Sequence, residues 1–275
     1  MALVRKHYIC FQNGEIFMEF RPCIDIHNGK VKQIVGGSLS EVKHQVKENF
    51  VAEQDAVFFA ELYKSRGLKG GHVILLNPPS SEYYEDTKKQ ALLALSAYPG
   101  GLMVGGGISD KNAKEFLDAG ASHVIVTSFV FKDGKIDWDN LDKMVEAVGK
   151  EHLVLDLSCR KKDDKYYIVT DRWQKYTDVA ICKETMEKLA GYCDEFLVHA
   201  VDVEGKASGI EKYLARMLGK FPAIPITYAG GVHNFEDLDM LRELGNNHVD
   251  VTIGSALDIF GGTMEFEKVI DYMKK

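Results

Sequence analysis

Two aspartates follow apolar residues at matching places in the two halves of the sequence. Asp25 comes directly after Ile24, and Asp156 comes directly after Leu155. A carboxylate beside the core is costly to bury unless it is hydrogen-bonded or has a function. Two facing carboxylates in different surroundings can hold different pKa values, so one accepts a proton while the other donates one. Capping would explain a single aspartate, but the symmetric pair favours general acid–base catalysis, which needs neither metal nor cofactor.

Paired short motifs in the two halves could bind phosphate. Glycine pairs follow two further apolar runs, and without side chains their backbone N–H groups can approach an anion where a helix begins. Two short hydroxyl-bearing motifs follow the next apolar runs and could complete each cradle. One glycine pair alone is as often only a tight turn, but two at the repeat distance predict a ligand with a phosphate at each end. The predicted phosphate-binding residues are Gly106, Gly107, Thr127, Ser128, Gly230, Gly231, Gly254 and Ser255.

The charge of the chain means that an anionic ligand must be captured locally. A phosphoester carries about −1.5 to −2 at neutral pH, whereas the 275-residue chain has a formal net charge of −7. We therefore expect helix N-termini to bind the phosphates, with Lys30, Lys32 or Arg160 as auxiliaries. For each of these cations a solvated surface position is the commoner role.

The alternation of apolar runs and amphipathic segments indicates which elements position these residues. It is typical of a parallel sheet wrapped by helices. The predicted strands are 20–26, 72–76, 102–104, 123–127, 153–157, 195–200, 224–228 and 249–253. The predicted helices are 56–66, 83–97, 111–119, 141–148, 183–192, 210–218, 235–244 and 266–273. Segments 133–137 and 160–171 are predicted to be longer loops.

An internal repeat indicates how these elements assemble. Segments 24–26, 104–108 and 126–128 return as 155–157, 228–232 and 253–255, at offsets of 131, 124 and 127 residues. Neither half could close its own sheet, so we predict one (β/α)8 TIM barrel built from two repeated (β/α)4 half-barrels. The half-barrels span about 19–150 and 151–262, and 1–18 form an N-terminal extension. A doubly wound sheet is the competing fold, but its GxGxxG fingerprint is absent.

Composition excludes several classes of function. With 45% hydrophobic and 27% charged residues the chain has an ordinary globular composition, and its pI near 5.7 argues against binding to nucleic acid or anionic membranes. The cysteines are odd in number and contain no CxxC pair, which favours a reducing compartment over a disulfide framework or zinc site. We expect a cytoplasmic monomer without a membrane span. The five cysteines are Cys10, Cys23, Cys159, Cys182 and Cys193.

The sequence resembles the ProFAR isomerases of histidine biosynthesis (phosphoribosylformimino-5-aminoimidazole carboxamide ribotide isomerases), from about residue 19 to 262. The segment from Arg21 to Val31 is similar to the opening strand and loop of that family, and both glycine turns are similar to its phosphate turns. The resemblance implies an aldose–ketose isomerase that performs an Amadori rearrangement of a bis-phosphorylated aminoaldose. It also implies that Asp25 is the general base and Asp156 the general acid.

Two positions after the fifth and sixth strands bear on this resemblance. The common bacterial pattern has a threonine where this chain has His199, which indicates the eukaryotic-type branch. His199 could hydrogen-bond the substrate or tune Asp156, and a purely structural role is an equal alternative. Trp173 resembles a loop tryptophan that closes over the aromatic end of the substrate, although it could also only pin its loop. Asp202 and Glu204 we interpret as solvated loop charges.

Other functions share part of this pattern. The cyclase subunit of imidazole glycerol phosphate synthase has the same half-barrel repeat, phosphate turns and aspartates, but it needs a glutaminase partner. A non-catalytic barrel that binds a sugar phosphate would have no use for both carboxylates. A Schiff-base aldolase would need a lysine within an apolar strand, and the eight predicted strands have no interior lysine.

Overall fold

The computed structural model describes residues 11–12, 15–34, 48–206 and 208–274. Each of eight parallel strands is followed by a helix in the order that the repeat predicts. The strands are β1 Cys23–His27, β2 Gly71–Leu75, β3 Leu102–Gly105, β4 Val124–Val126, β5 Leu153–Asp156, β6 Glu195–His199, β7 Ile226–Ala229 and β8 Val249–Thr252. The helices are α1 Ala56–Ser65, α2 Tyr84–Ala97, α3 Ala113–Asp118, α4 Trp138–Val148, α5 Lys183–Leu189, α6 Lys212–Leu218, α7 Phe235–Leu244 and α8 Phe266–Met273.

The strands pair in sequence order from β1 to β8, all parallel. The sheet closes because the residues before β1 pair with β8. The Arg21 N–H donates to the Val251 carbonyl at 2.8 Å, and the Val251 N–H donates to the Glu19 carbonyl at 2.9 Å. The predicted TIM barrel is confirmed, since closure leaves no free edge between the first and last strands.

Burial explains why the strands contain so few polar residues. Side chains on the outer face of the strands pack under the helices in the main core. A second apolar layer fills the barrel interior, with one side chain from each of β3 to β7. These interior residues are Met103, Ile125, Val154, Leu197 and Ala229. A strand buried on both faces must be apolar almost throughout, so the polar residues that remain inside are informative.

The helices begin where polar side chains satisfy free backbone N–H groups. Asp55, Asp137 and Asn234 each accept a hydrogen bond from the backbone three residues later, at 2.9–3.0 Å. These caps place the first turns of α1, α4 and α7. Within the described ranges, no helix combines the length and the apolar character that crossing a membrane requires.

The connections after β1, β4 and β5 contain additional strands. Lys30–Ile34 pairs antiparallel with β1 and Glu48–Val51 extends it. Phe131–Lys132 and Lys135–Ile136 form a small hairpin after β4. Three strands after β5 form an antiparallel sheet that we call the β5 lid, at Cys159–Lys162, Lys165–Thr170 and Lys175–Ala180. The loop prediction for 133–137 and 160–171 was therefore wrong, because both segments contain residues in antiparallel hairpins.

Candidate active site

Asp25 lies inside the barrel at the third position of β1, paired in register with Ile74 of β2. The alternating pleat points its side chain away from the helices and into a cavity of about 230 Å³. Burial raises the pKa of Asp25 to about 7. A carboxyl whose pKa lies near neutrality is well suited to take a proton from carbon and return it.

Asp156 is the last residue of β5, and its carboxylate is held by neighbours. The Thr127 hydroxyl donates to one oxygen at 2.9 Å, and the Ser158 hydroxyl and backbone N–H donate to the other, each at 2.7 Å. Asp156 therefore acts as a hydrogen-bond acceptor on both oxygens, the role of an ionised carboxylate. It is not among the described residues that line the cavity around Asp25.

Glu204 is a cavity residue that sequence reasoning missed. It follows β6 and lines the same cavity as Asp25 and the Gly230-Gly231 turn. Burial, together with the nearby Asp25 charge, raises its pKa to about 7. Its interpretation as a solvated loop charge is wrong, because the loop folds inward over the barrel mouth. Only its position five residues after His199, at the mouth end of β6, could have signalled this from the sequence.

Two histidines stand on the wall of the cavity. His72 of β2 and His199 at the end of β6 have ring centroids 6.1 Å apart. Burial lowers the pKa of His72 to about 3, and it also lowers that of His199 although Asp156 acts in the opposite direction. Both rings are therefore neutral near pH 7, and each can offer one donor and one acceptor to a ligand.

Trp173 covers His199 from the β5 lid. The two ring centroids are 5.6 Å apart, and Asp171, Arg172 and Trp173 all have positive φ angles of 53–65°. Consecutive left-handed residues without glycine are uncommon and costly, so surrounding contacts must hold this turn. The structure places Trp173 at the mouth, where a ligand ring could contact it.

The glycine turns lie where the repeat predicts. Gly230-Gly231 follows β7 and lines the cavity together with Gly254 and Ser255 after β8. Gly231 has a φ of 80°, and a Cβ there would collide with the carbonyl of Gly209, so no other residue fits. These four predicted phosphate-binding residues are thus brought together beside Asp25.

The predicted first-half cradle is arranged differently. Gly106 and Gly107 have φ angles of 99° and 71° after β3, but the Thr127 hydroxyl is used by Asp156. None of the described cavity-lining residues comes from this cradle, which also includes Ser128. The two cradles therefore do not share one enclosed space among the described residues.

The three cations considered as auxiliaries do not line the cavity. Lys32 is buried on the strand next to β1 and Lys30 is exposed. The Arg160 guanidinium donates to the Asp202 carboxylate at 2.8 Å, and the Lys161 backbone N–H donates to the same carboxylate at 2.9 Å. Within the described ranges, no cluster of three or more His, Cys, Asp or Glu residues is arranged to hold a metal ion.

Comparisons with known proteins cover nearly the whole chain. Residues 19–264 match a family model described as histidine biosynthesis protein. The chain is 54% identical over 257 residues to a chloroplastic 1-(5-phosphoribosyl)-5-((5-phosphoribosylamino)methylideneamino)imidazole-4-carboxamide isomerase of Medicago truncatula, covering 92% of this chain and 81% of the relative. Isomerases of the same name from Neurospora crassa and Saccharomyces cerevisiae are 47% and 43% identical, over 88% and 94% of this chain and 93% and 98% of theirs.

Proposed function

The chain belongs to the histidine biosynthesis protein family, and from this premise we propose that Asp25 is the base of the isomerisation it catalyses. The reaction converts the aminoaldose ProFAR to its aminoketose in histidine biosynthesis. The relatives named above are isomerases, so the cyclase and binding-barrel alternatives have no support from them. The observation that carries the assignment is the placement of Asp25 in a cavity with a second titratable carboxyl and a glycine turn.

The chemistry requires one proton donor and one proton acceptor. An acid protonates the ring oxygen of the aminoaldose, the bond from that oxygen to C1 breaks, and the nitrogen lone pair forms a C1–N double bond. Asp25 then removes the proton from C2, the released electron pair forms a C1–C2 double bond, and the C1–N π pair returns to nitrogen. Tautomerisation of this enol places a proton on C1 and leaves a ketone at C2, which completes the Amadori rearrangement.

Two carboxyls could supply the first proton. Asp156 is the acid that the family resemblance implies, and it stays a candidate. Glu204 has stronger support, because its pKa of about 7 keeps a large fraction protonated at neutral pH and it faces the cavity that holds Asp25. Asp156 accepts hydrogen bonds from Thr127 and Ser158, which suits a charged group that stabilises a developing cation.

The remaining site residues complete the proposal. The Gly230-Gly231 turn with Gly254 and Ser255 would bind one phosphate, and Gly106, Gly107, Thr127 and Ser128 the other. His199 and Trp173 would contact the aromatic end of the substrate. We further propose a monomer that acts in the cytoplasm on a bis-phosphorylated small molecule, supported by the acidic pI and by the free state of all four described cysteines.

The test is turnover of purified ProFAR in the presence of chelator and without added ammonia. We expect wild type to convert it, and Asp25→Asn to lose at least about 1,000-fold in kcat. Glu204→Gln and Asp156→Asn measured beside it identify the proton donor as the variant with the larger loss in kcat. Absence of wild-type turnover, or an Asp25→Asn variant as active as wild type, would contradict the proposal.

A further inference from the structure

The cavity has a charge balance that is unfavourable for a phosphate. A phosphoester brings about −1.5 to −2 charges, and the cavity wall already contains the carboxyls of Asp25 and Glu204. Neither lysine nor arginine is among the described residues of this wall. Its described ionisable side chains are Cys23, Asp25, His72, His199, Glu204 and His233.

One of the three described histidines on this wall lies at the mouth, beside the cradle. His72 is 3% exposed and its pKa is lowered to about 3 by burial. Burial lowers the pKa of His199 as well. His233 differs from both because its side chain is 37% exposed at the mouth, directly after the Gly230-Gly231 turn.

His233 is held by a buried carboxylate behind it. Its Nδ1 lies 2.7 Å from Asp237 Oδ2, and its backbone N–H donates to the same oxygen at 3.0 Å. The Asp237 side chain is only 9% exposed. The Asp237 carboxylate thus restrains the backbone of His233 and lies against one edge of its ring, beside the Gly230-Gly231 turn.

The second ring nitrogen is left available to a ligand. His233 Nε2 lies 3.4 Å from Asn234 Nδ2, longer than an ordinary N–H···O or N–H···N hydrogen bond. The Asn234 side chain is engaged elsewhere, because its oxygen accepts from the Asp237 N–H at 2.9 Å as the cap of α7. A phosphate oxygen would replace this long contact at little cost.

We propose that His233, backed by Asp237, is a phosphate ligand of the cradle formed by Gly230, Gly231 and Ser255. The ligand of His233 would be a phosphate monoester group of the substrate, and in this respect the inference rests on the proposed function. An Nε2–H of His233 would donate a hydrogen bond to the phosphate from a wall that also contains the carboxyls of Asp25 and Glu204. His233 directly precedes Asn234, the N-cap of α7.

The corresponding position in the first half is neutral. The repeat offset of 124 residues places Ser109 where the second half has His233. The Ser109 backbone N–H donates to Asn112 Oδ1 at 2.8 Å, and the same offset places Ala113 where the second half has Asp237. The two cradles therefore differ in the side chain that follows their glycine turns, which gives the pseudo-symmetric barrel a means of telling the two phosphates apart.

Steady-state kinetics with ProFAR tests this assignment. We expect His233→Asn to raise KM at least about tenfold while kcat changes less than about threefold, because a charge-assisted hydrogen bond is lost from substrate binding. His233→Lys should restore KM to within about threefold of wild type, since the lysine ammonium also donates hydrogen bonds to a phosphate. Inorganic phosphate should inhibit wild type competitively, and His233→Asn should weaken that inhibition by a similar factor.

The matched control is His152→Asn, the same substitution at an exposed histidine before β5 at the other end of the barrel, which should leave KM unchanged. An unchanged KM in His233→Asn overturns the inference, and so does a His233→Lys variant as impaired as His233→Asn. If His233→Asn does not fold, the KM of His233→Lys is compared with that of His233→Gln. A KM that is equal in the two variants overturns the inference. Failure of the proposed function is distinct, because it would remove turnover from the wild type itself.

Discussion

At the scale of single residues, the chemistry depends on two carboxyls whose proton affinities the fold has changed. Asp25 and Glu204 both have pKa values of about 7, Asp25 through burial and Glu204 through burial together with the Asp25 charge. Groups coupled in this way titrate as a pair, so the two apparent pKa values belong to both. Near neutral pH the pair can exist with one proton, which is the state that acid–base catalysis requires.

The pH dependence of kcat/KM should be bell-shaped around pH 7. The rate rises as Asp25 ionises and falls as the proton donor loses its proton. If Glu204 is that donor, Glu204→Gln should lower kcat by about 100-fold or more and remove the alkaline decline. Asp156→Asn should then keep both limbs of the profile. A Glu204→Gln profile with its alkaline limb intact would return the role of acid to Asp156.

Asp25 should also reduce the stability of the folded protein at alkaline pH. Its pKa rises from 3.8 to about 7 on folding, so its contribution to stability is fully present below pH about 4 and is lost as pH rises through 7. We expect Asp25→Asn to stabilise the protein at pH 8 by about 2–4 kcal/mol. Urea unfolding measures this difference, which should vanish near pH 4. A variant less stable than wild type at pH 8 would contradict the argument.

At the scale of elements, the loops at the mouth are tied to one another. The Arg160–Asp202 ion pair joins the β5 lid to the loop that contains Glu204. The Cys159 strand also pairs with Ala200 directly after β6. Trp173 lies over His199, and contacts within the β5 lid hold its left-handed turn, since Gln174 donates to the carbonyls of Thr170 and Asp171.

Trp173→Ala should raise KM for ProFAR by about three- to tenfold, because aromatic stacking contributes about 0.5–1.5 kcal/mol beyond burial. Steady-state kinetics measures the change. Binding can also be followed by tryptophan fluorescence in a Trp138→Phe background, since Trp138 packs on Tyr192 away from the mouth. The Trp138→Phe variant alone should keep the KM of wild type. An unchanged KM in Trp173→Ala would show that Trp173 only stabilises its loop and does not contact the substrate.

At the scale of the whole molecule, charged residues close the barrel at the end opposite the site. The buried Arg21 donates to Asp250 of β8 at 2.7 and 2.9 Å, beside the backbone pairs that join the first and last strands. Burial opposes the charge of Arg21, but Asp250, Glu195 and Glu19 together raise its pKa above the ordinary value. The ion pair therefore connects the two half-barrels where the chain returns to its start.

Asp250→Ala should destabilise the protein by about 3 kcal/mol, because it leaves a buried guanidinium without its closest partner. Urea unfolding at pH 7 measures the loss. The control is Glu267→Ala, which breaks the exposed pair with Arg66 near the same end and should shift the midpoint little. Equal effects of the two variants would show that burial of the Arg21 pair adds nothing to closure.

The sequence by itself determined the barrel, its repeat and the positions of Asp25 and the glycine turns. Those features follow from local sequence patterns, because the periodicity of strands and helices and the spacing of turns can be recognised without knowing any tertiary contact. Tertiary structure alone decided that Glu204 and His233 line the cavity, that the β5 lid is a sheet, and that the Thr127 hydroxyl donates a hydrogen bond to Asp156. These facts depend on which loops fold inward and on the burial that shifts a pKa, and both are set by residues far apart in the chain.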